Sequence, residues 1–113
     1  MNMDLLAQDI GISNTHLQEI RDYAKKYSNI EKVIIYGSRA KGNYKPGSDL
    51  DLVLIGDHLE FRDQLNFSGD LDDSYQPYFF DVAIEGHIRN ESLLDHVRRV
   101  GKVIYDKSDS QSW

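Results

Sequence analysis

Between Thr15 and Tyr27 the apolar residues Leu17, Ile20, Ala24 and Tyr27 return at helical spacing, and Thr15 with Gln18 fits a capping box. The period then changes. Lys32 to Tyr36 (KVIIY) is a β-branched run that stops at Gly37, as a mostly buried strand does. Gly37 to Ser48 (GSRAKGNYKPGS) is punctuated by glycines and a proline, which predicts turns, with room for a short helix over Ser38 to Lys41. From Leu50 to Ile55 (LDLVLI), Leu50, Leu52 and Leu54 fall on one strand face, and Asp49, Asp51 and Val53 on the other. A weaker helical segment covers Leu59 to Leu71, with Phe61 and Leu65 four apart; it ends near Gly69 and runs into an acidic patch of Asp70, Asp72 and Asp73. Tyr78 to Ile84 (YFFDVAI) alternates again, with Phe80, Val82 and Ile84 opposite Phe79, Asp81 and Ala83. Asn90 is placed to cap a last helix whose buried face is Leu93, Val97 and Val100; Gly101 stops it, and Lys102 to Tyr105 (KVIY) adds an edge strand. One domain over residues 1–105 and a flexible tail over 106–113 are expected.

A chain of 113 residues has the size of one compact domain, and 40% hydrophobic with 28% charged residues is the profile of a globular protein. The net charge of −6 argues against a polyanion partner, since affinity for nucleic acid rests on Lys and Arg neutralising phosphates; direct nucleic-acid binding is not expected. With no cysteine, thiolate catalysis, zinc-thiolate sites and disulfides are all excluded. The start carries Asp4 and Asp9 and no basic region, and no apolar run approaches membrane-spanning length, so a soluble cytoplasmic protein is expected.

The chemistry gathers around a strand, a Gly-Ser turn, ten intervening residues and an Asp-x-Asp pair. Gly37 lets a phosphate approach the backbone, Ser38 adds a hydroxyl donor, and Arg39 is a candidate for neutralising phosphate charge. Asp49 and Asp51 are two apart on a strand and project to one side. Two such charges at about 4 Å repel by roughly 4 kcal/mol at an effective dielectric near 20, so they call for a cation or a shared proton. Mg²⁺ suits them, because it prefers carboxylate oxygens and takes its remaining ligands from water and triphosphate. Asp81 could complete the site as a further metal ligand or as the base for an attacking hydroxyl.

Gly37-Ser38, ten residues, then Asp49-x-Asp51 resembles the signature of the DNA polymerase β-like nucleotidyltransferase superfamily, and in particular its minimal nucleotidyltransferases. The resemblance runs from KVIIYGSRAKG through PGSDLDLVLI and PYFFDVAI to RVGKVIYD. It implies an α/β (α+β) palm-like domain, a short mixed sheet flanked by helices. It also implies a Gly37-Ser38 turn that holds the triphosphate, metal-binding Asp49 and Asp51, and an Asp81 that joins them and assists in activating the acceptor. The implied reaction moves a nucleoside monophosphate, AMP from ATP with Mg²⁺, onto a hydroxyl and releases pyrophosphate. The implied partner is a cognate helical HEPN-type toxin encoded nearby, which such chains neutralise as antitoxins in a hetero-oligomer, in characterised cases by adenylylating a tyrosine.

Two other readings are compatible with the residues. One is a non-catalytic module that neutralises its partner by occlusion; the other is the catalytic subunit of a two-component enzyme acting on a small molecule. His16, His58, His87 and His96 show no ligand spacing and read as surface residues, while Asp70, Asp72 and Asp73 read as a solvated loop.

Overall fold

The computed structural model describes residues 3–108. Along the chain run α1 (Met3–Ile10), α2 (Asn14–Lys25), β1 (Lys32–Tyr36), α3 (Gly37–Lys41), β2 (Leu50–Ile55), α4 (Phe61–Asp72), β3 (Phe80–Ile84), a single 3₁₀ turn (Glu85–His87), α5 (Glu91–Val100) and β4 (Lys102–Asp106). The strands form one mixed sheet in the order β3-β2-β1-β4: β1 is antiparallel to both β2 and β4, whereas β2 and β3 are parallel. This is the single small α/β domain that the pattern of short strands and amphipathic helices implies.

Strand alternation sorts the side chains onto two faces. Val33 and Ile35 of β1, Leu50, Leu52 and Leu54 of β2, and Val82 and Ile84 of β3 enter the main core, against Ala7 and Ile10 of α1, Leu17, Ile20 and Ala24 of α2, and Phe67 and Leu71 of α4. The opposite face is smaller: Tyr36 and Val53 meet Val97 of α5, with Ile34, Ile55 and Leu93 around them. It is this thinner face, only partly covered by α5, that carries the acidic residues.

Several boundaries differ from expectation, each for a local reason. Helix α1 was not expected; its Ala7 and Ile10 are buried in the main core, while the acids that flank them dilute the periodic signal. The cap of α2 is Ser13 and not Thr15: the Ser13 hydroxyl accepts from the His16 amide at 3.1 Å, and Gln18 instead donates to Asp22. Helix α4 continues through Gly69 to Asp72, because Leu71 remains buried one turn beyond Phe67. Asp70 and Asp72 are thus helical, and Asp70 accepts hydrogen bonds from Tyr27 at 2.5 Å and Lys26 at 3.1 Å, so it does not belong to a solvated loop. Burial, and then that bond to Asp70, push the Tyr27 phenol up to about 12. Asn90 caps α5 as expected, accepting from the Leu93 amide. Strand β4 reaches Asp106, one residue into the expected tail, and the Lys107 amide donates to Glu31 O at 2.8 Å. The rest of that tail, 109–113, lies outside the described residues.

Candidate active site

The site forms where β1 ends beside the start of β2. Antiparallel pairing puts Tyr36 opposite Asp51, and parallel pairing puts Asp51 opposite Asp81. The exposed Asp49 stands one residue before β2, close enough for its charge to act on Asp51. Asp51 is half-buried, and its carboxyl is raised above the usual range by that burial and by the charges of Asp81 and Asp49. Tyr36 is likewise raised, by burial and by the charges of Asp51 and Asp81. The three acids therefore share one electrostatic environment.

Between Tyr36 and Asp51 the chain must turn sharply into α3. Gly37 does so at φ +74°, a left-handed conformation that side chains disfavour, and a Cβ there would collide with Oδ2 of Asp51. Two independent constraints, the torsion and the close carboxylate, thus call for glycine at this position. Helix α3 ends at Gly42, also left-handed at φ +86°, whose amide closes onto Ser38 O.

Arg39 is placed differently from expectation. Its side chain is buried, with Nε donating to Ser48 O at 3.0 Å and one terminal nitrogen donating to Ile10 O and Gly11 O at 2.9 and 3.2 Å. The guanidinium also lies 5.0 Å from the Tyr78 ring centroid and 5.1 Å from that of Tyr44. These donors are directed at backbone carbonyls inside the fold and not at a ligand. The reason is geometric: on a helix of five residues, Arg39 faces the sheet's main core with Ala40. By holding Ser48 O, Arg39 fixes the loop immediately ahead of Asp49. Arg39→Ala is expected to destabilise the fold by roughly 3 kcal/mol, through lost packing and orphaned buried carbonyls, and Arg39→Lys to recover only part of it, since an ammonium cannot span the same acceptors. Urea unfolding measures both; unchanged midpoints would contradict the structural role.

His96 is the residue that sequence reasoning missed. It is part-buried on α5, its Nε2 accepts from the Gly37 amide at 3.3 Å, and its ring meets Tyr36 edge-on at 6.1 Å and 81°. His16 is also part-buried, edge-on to Tyr78, whereas His58 and His87 are exposed as expected. A signal for His96 existed: it lies three residues after Leu93 in a strongly amphipathic helix, and so on the inward side.

As a cation site, the cluster is open. Among the described residues, no group of three or more acidic or imidazole side chains is placed to hold a metal ion. Burial and the charges of Asp81 and Asp49 nevertheless raise the Asp51 carboxyl, a repulsion that a divalent cation relieves. Asp49 and Asp51, with Asp81 on the neighbouring strand, fit the hard oxygen donors that Mg²⁺ takes when triphosphate and water supply the rest.

The family model for polymerase beta nucleotidyltransferases matches residues 18–110. No curated protein matches the chain. Among solved structures, a toxin–antitoxin complex with AMP-PNP superposes at TM-score 0.67, with 15% identity over 85% of this chain and 78% of that one. The MntA–HepT toxin–antitoxin complex gives 0.64, with 12% identity over 88% and 78%. A complex of MNT antitoxin with the tri-AMPylated HEPN toxin of Shewanella oneidensis gives 0.62, with 12% identity over 87% and 76%. At these identities the likeness is one of fold.

Proposed function

The chain belongs to the polymerase β nucleotidyltransferase family, and from that premise we propose that it transfers AMP from ATP to a tyrosine hydroxyl of a HEPN-type helical protein, silencing it as an antitoxin in the cytoplasm. The observation that carries the reading is the alignment of Asp51 with Asp81 across β2 and β3, directly beside a turn whose left-handed torsion at Gly37 disfavours any side chain. The folds that superpose on this chain include an antitoxin paired with an AMPylated HEPN toxin and a toxin–antitoxin complex holding AMP-PNP, which favours a protein acceptor and an adenine nucleotide.

In this reading the backbone and hydroxyl of the Gly37-Ser38 turn hold the triphosphate, and Asp49 and Asp51 hold Mg²⁺ with Asp81 at its flank. The bound Mg²⁺ would draw negative charge from the phosphate oxygens. Asp81, exposed at the sheet edge, takes the proton of the acceptor hydroxyl. The hydroxyl oxygen forms a bond to the α-phosphorus, the α–β phosphoanhydride bond breaks, and its electron pair leaves with pyrophosphate. The exposed Phe61 and Leu65 of α4 and Phe79 ahead of β3 offer apolar contact for a docked partner near this edge.

The test uses two labels. With ATP labelled at the α-phosphate the partner is expected to become labelled, and with ATP labelled at the γ-phosphate it is not, since that label leaves with pyrophosphate. Chelating Mg²⁺ with EDTA is expected to remove the transfer. Transfer of the γ-label, or transfer that survives EDTA, would contradict the reading; full protection of cells by an Asp49→Ala/Asp51→Ala chain that still binds its partner would favour occlusion.

A further inference from the structure

Helix α5 approaches the site from the side of the sheet opposite the main core. Val97 and Leu93 dock it against Tyr36 and Val53, and this small cluster fixes its distance from the end of β1. One turn of that helix then delivers His96 to the Gly37 amide at 3.3 Å, with the Tyr36 ring edge-on beside it. An Nε2 that accepts an amide proton is unprotonated, so the ring carries its hydrogen on Nδ1. Gly37 sits at φ +74° with Asp51 directly against it, so its peptide plane has two demands to meet, turning the chain and clearing a carboxylate. A hydrogen bond at its amide is what selects the plane's orientation.

We infer that His96 is a positioning residue, fixing the phosphate-binding turn through the Gly37 amide and making α5 the buttress of the nucleotide site. The inference rests on the role proposed above for the Gly37-Ser38 turn. It concerns a residue outside the Gly-Ser and Asp-x-Asp signature, and it acts through the turn without touching the reacting atoms. Its contribution falls on binding of the phosphates more than on the rate of the chemical step.

Glutamine and asparagine separate the acceptor from the bulk of the side chain. A glutamine oxygen reaches about as far as Nε2, whereas an asparagine oxygen reaches only as far as Nδ1. Calorimetric binding of ATP and of inorganic tripolyphosphate, with Mg²⁺, is expected to weaken about three- to tenfold in His96→Asn and His96→Ala, the worth of one hydrogen bond. His96→Gln should stay within about twofold of the parent. In amide NMR spectra the Gly37 resonance should shift in His96→Asn and stay near its parent position in His96→Gln, at equal melting temperatures for the two. Parent chain that binds neither ligand would contradict the proposed function, and this inference with it. Parent chain that binds both, with His96→Asn binding as tightly or with Gly37 unshifted, would overturn this inference alone.

Discussion

Asp51→Asn is expected to lower nucleotide transfer by about 10²- to 10⁴-fold while making the fold more stable near neutral pH. The activity loss follows from removing one charged oxygen ligand, worth several kcal/mol of transition-state charge stabilisation, at about 1.4 kcal/mol per decade of rate. The stability gain follows from the raised carboxyl, whose causes are burial first and then the charges of Asp81 and Asp49. A carboxyl whose folded pKa lies above its unfolded value contributes stability below the ordinary carboxylate range, and that contribution is lost as pH rises through the folded value. At neutral pH the ionised Asp51 therefore opposes folding, and asparagine, similar in shape and uncharged, does not. Thermal melts of the two chains should diverge at neutral pH and converge in acid below the ordinary carboxylate range. A lower melting temperature for Asp51→Asn at neutral pH would show that the carboxylate is held by interactions other than those described.

Gly37→Ala should be damaging on both counts at once, because alanine would have to adopt φ +74° and its Cβ would meet the Asp51 carboxylate. A loss of roughly 2 to 4 kcal/mol of stability is expected, as a strained torsion and a steric collision together, and nucleotide binding should fall with it. Gly42→Ala supplies the contrast. It shares the left-handed torsion at φ +86° but has open space where the Cβ would go, so it should cost only the backbone share, about 1 kcal/mol, with binding retained. Urea unfolding paired with ATP calorimetry reads both. Equal effects at the two glycines would mean that torsion alone matters and that the approach to Asp51 is incidental.

The contrast between what the sequence revealed and what it hid has a physical basis. KVIIY, LDLVLI and YFFDVAI were legible because a strand's period of two records burial on each face directly, and the facing acids follow from it. Asp51 and Asp81 come together only through parallel register, which no local pattern encodes. Arg39 misled because a basic residue in a glycine-rich segment reads as exposed, whereas three backbone carbonyls and two tyrosine rings solvate it inside the fold. His96 is the converse case: its spacing from Leu93 marks it as inward-facing, but its partner, a main-chain amide on a distant turn, is not written in any local pattern. The short α1 likewise owes its helix to burial of Ala7 and Ile10 by the rest of the core.

The most direct measurement is the intact mass of the helical partner, purified alone and then incubated with the chain, ATP and Mg²⁺. The expected result is a gain of one or more AMP units mapped to tyrosine, absent when Asp51→Asn replaces the parent chain. A partner whose mass is unchanged by the parent chain, or shifted equally by Asp51→Asn, would contradict the assignment of this site as a nucleotidyltransferase centre.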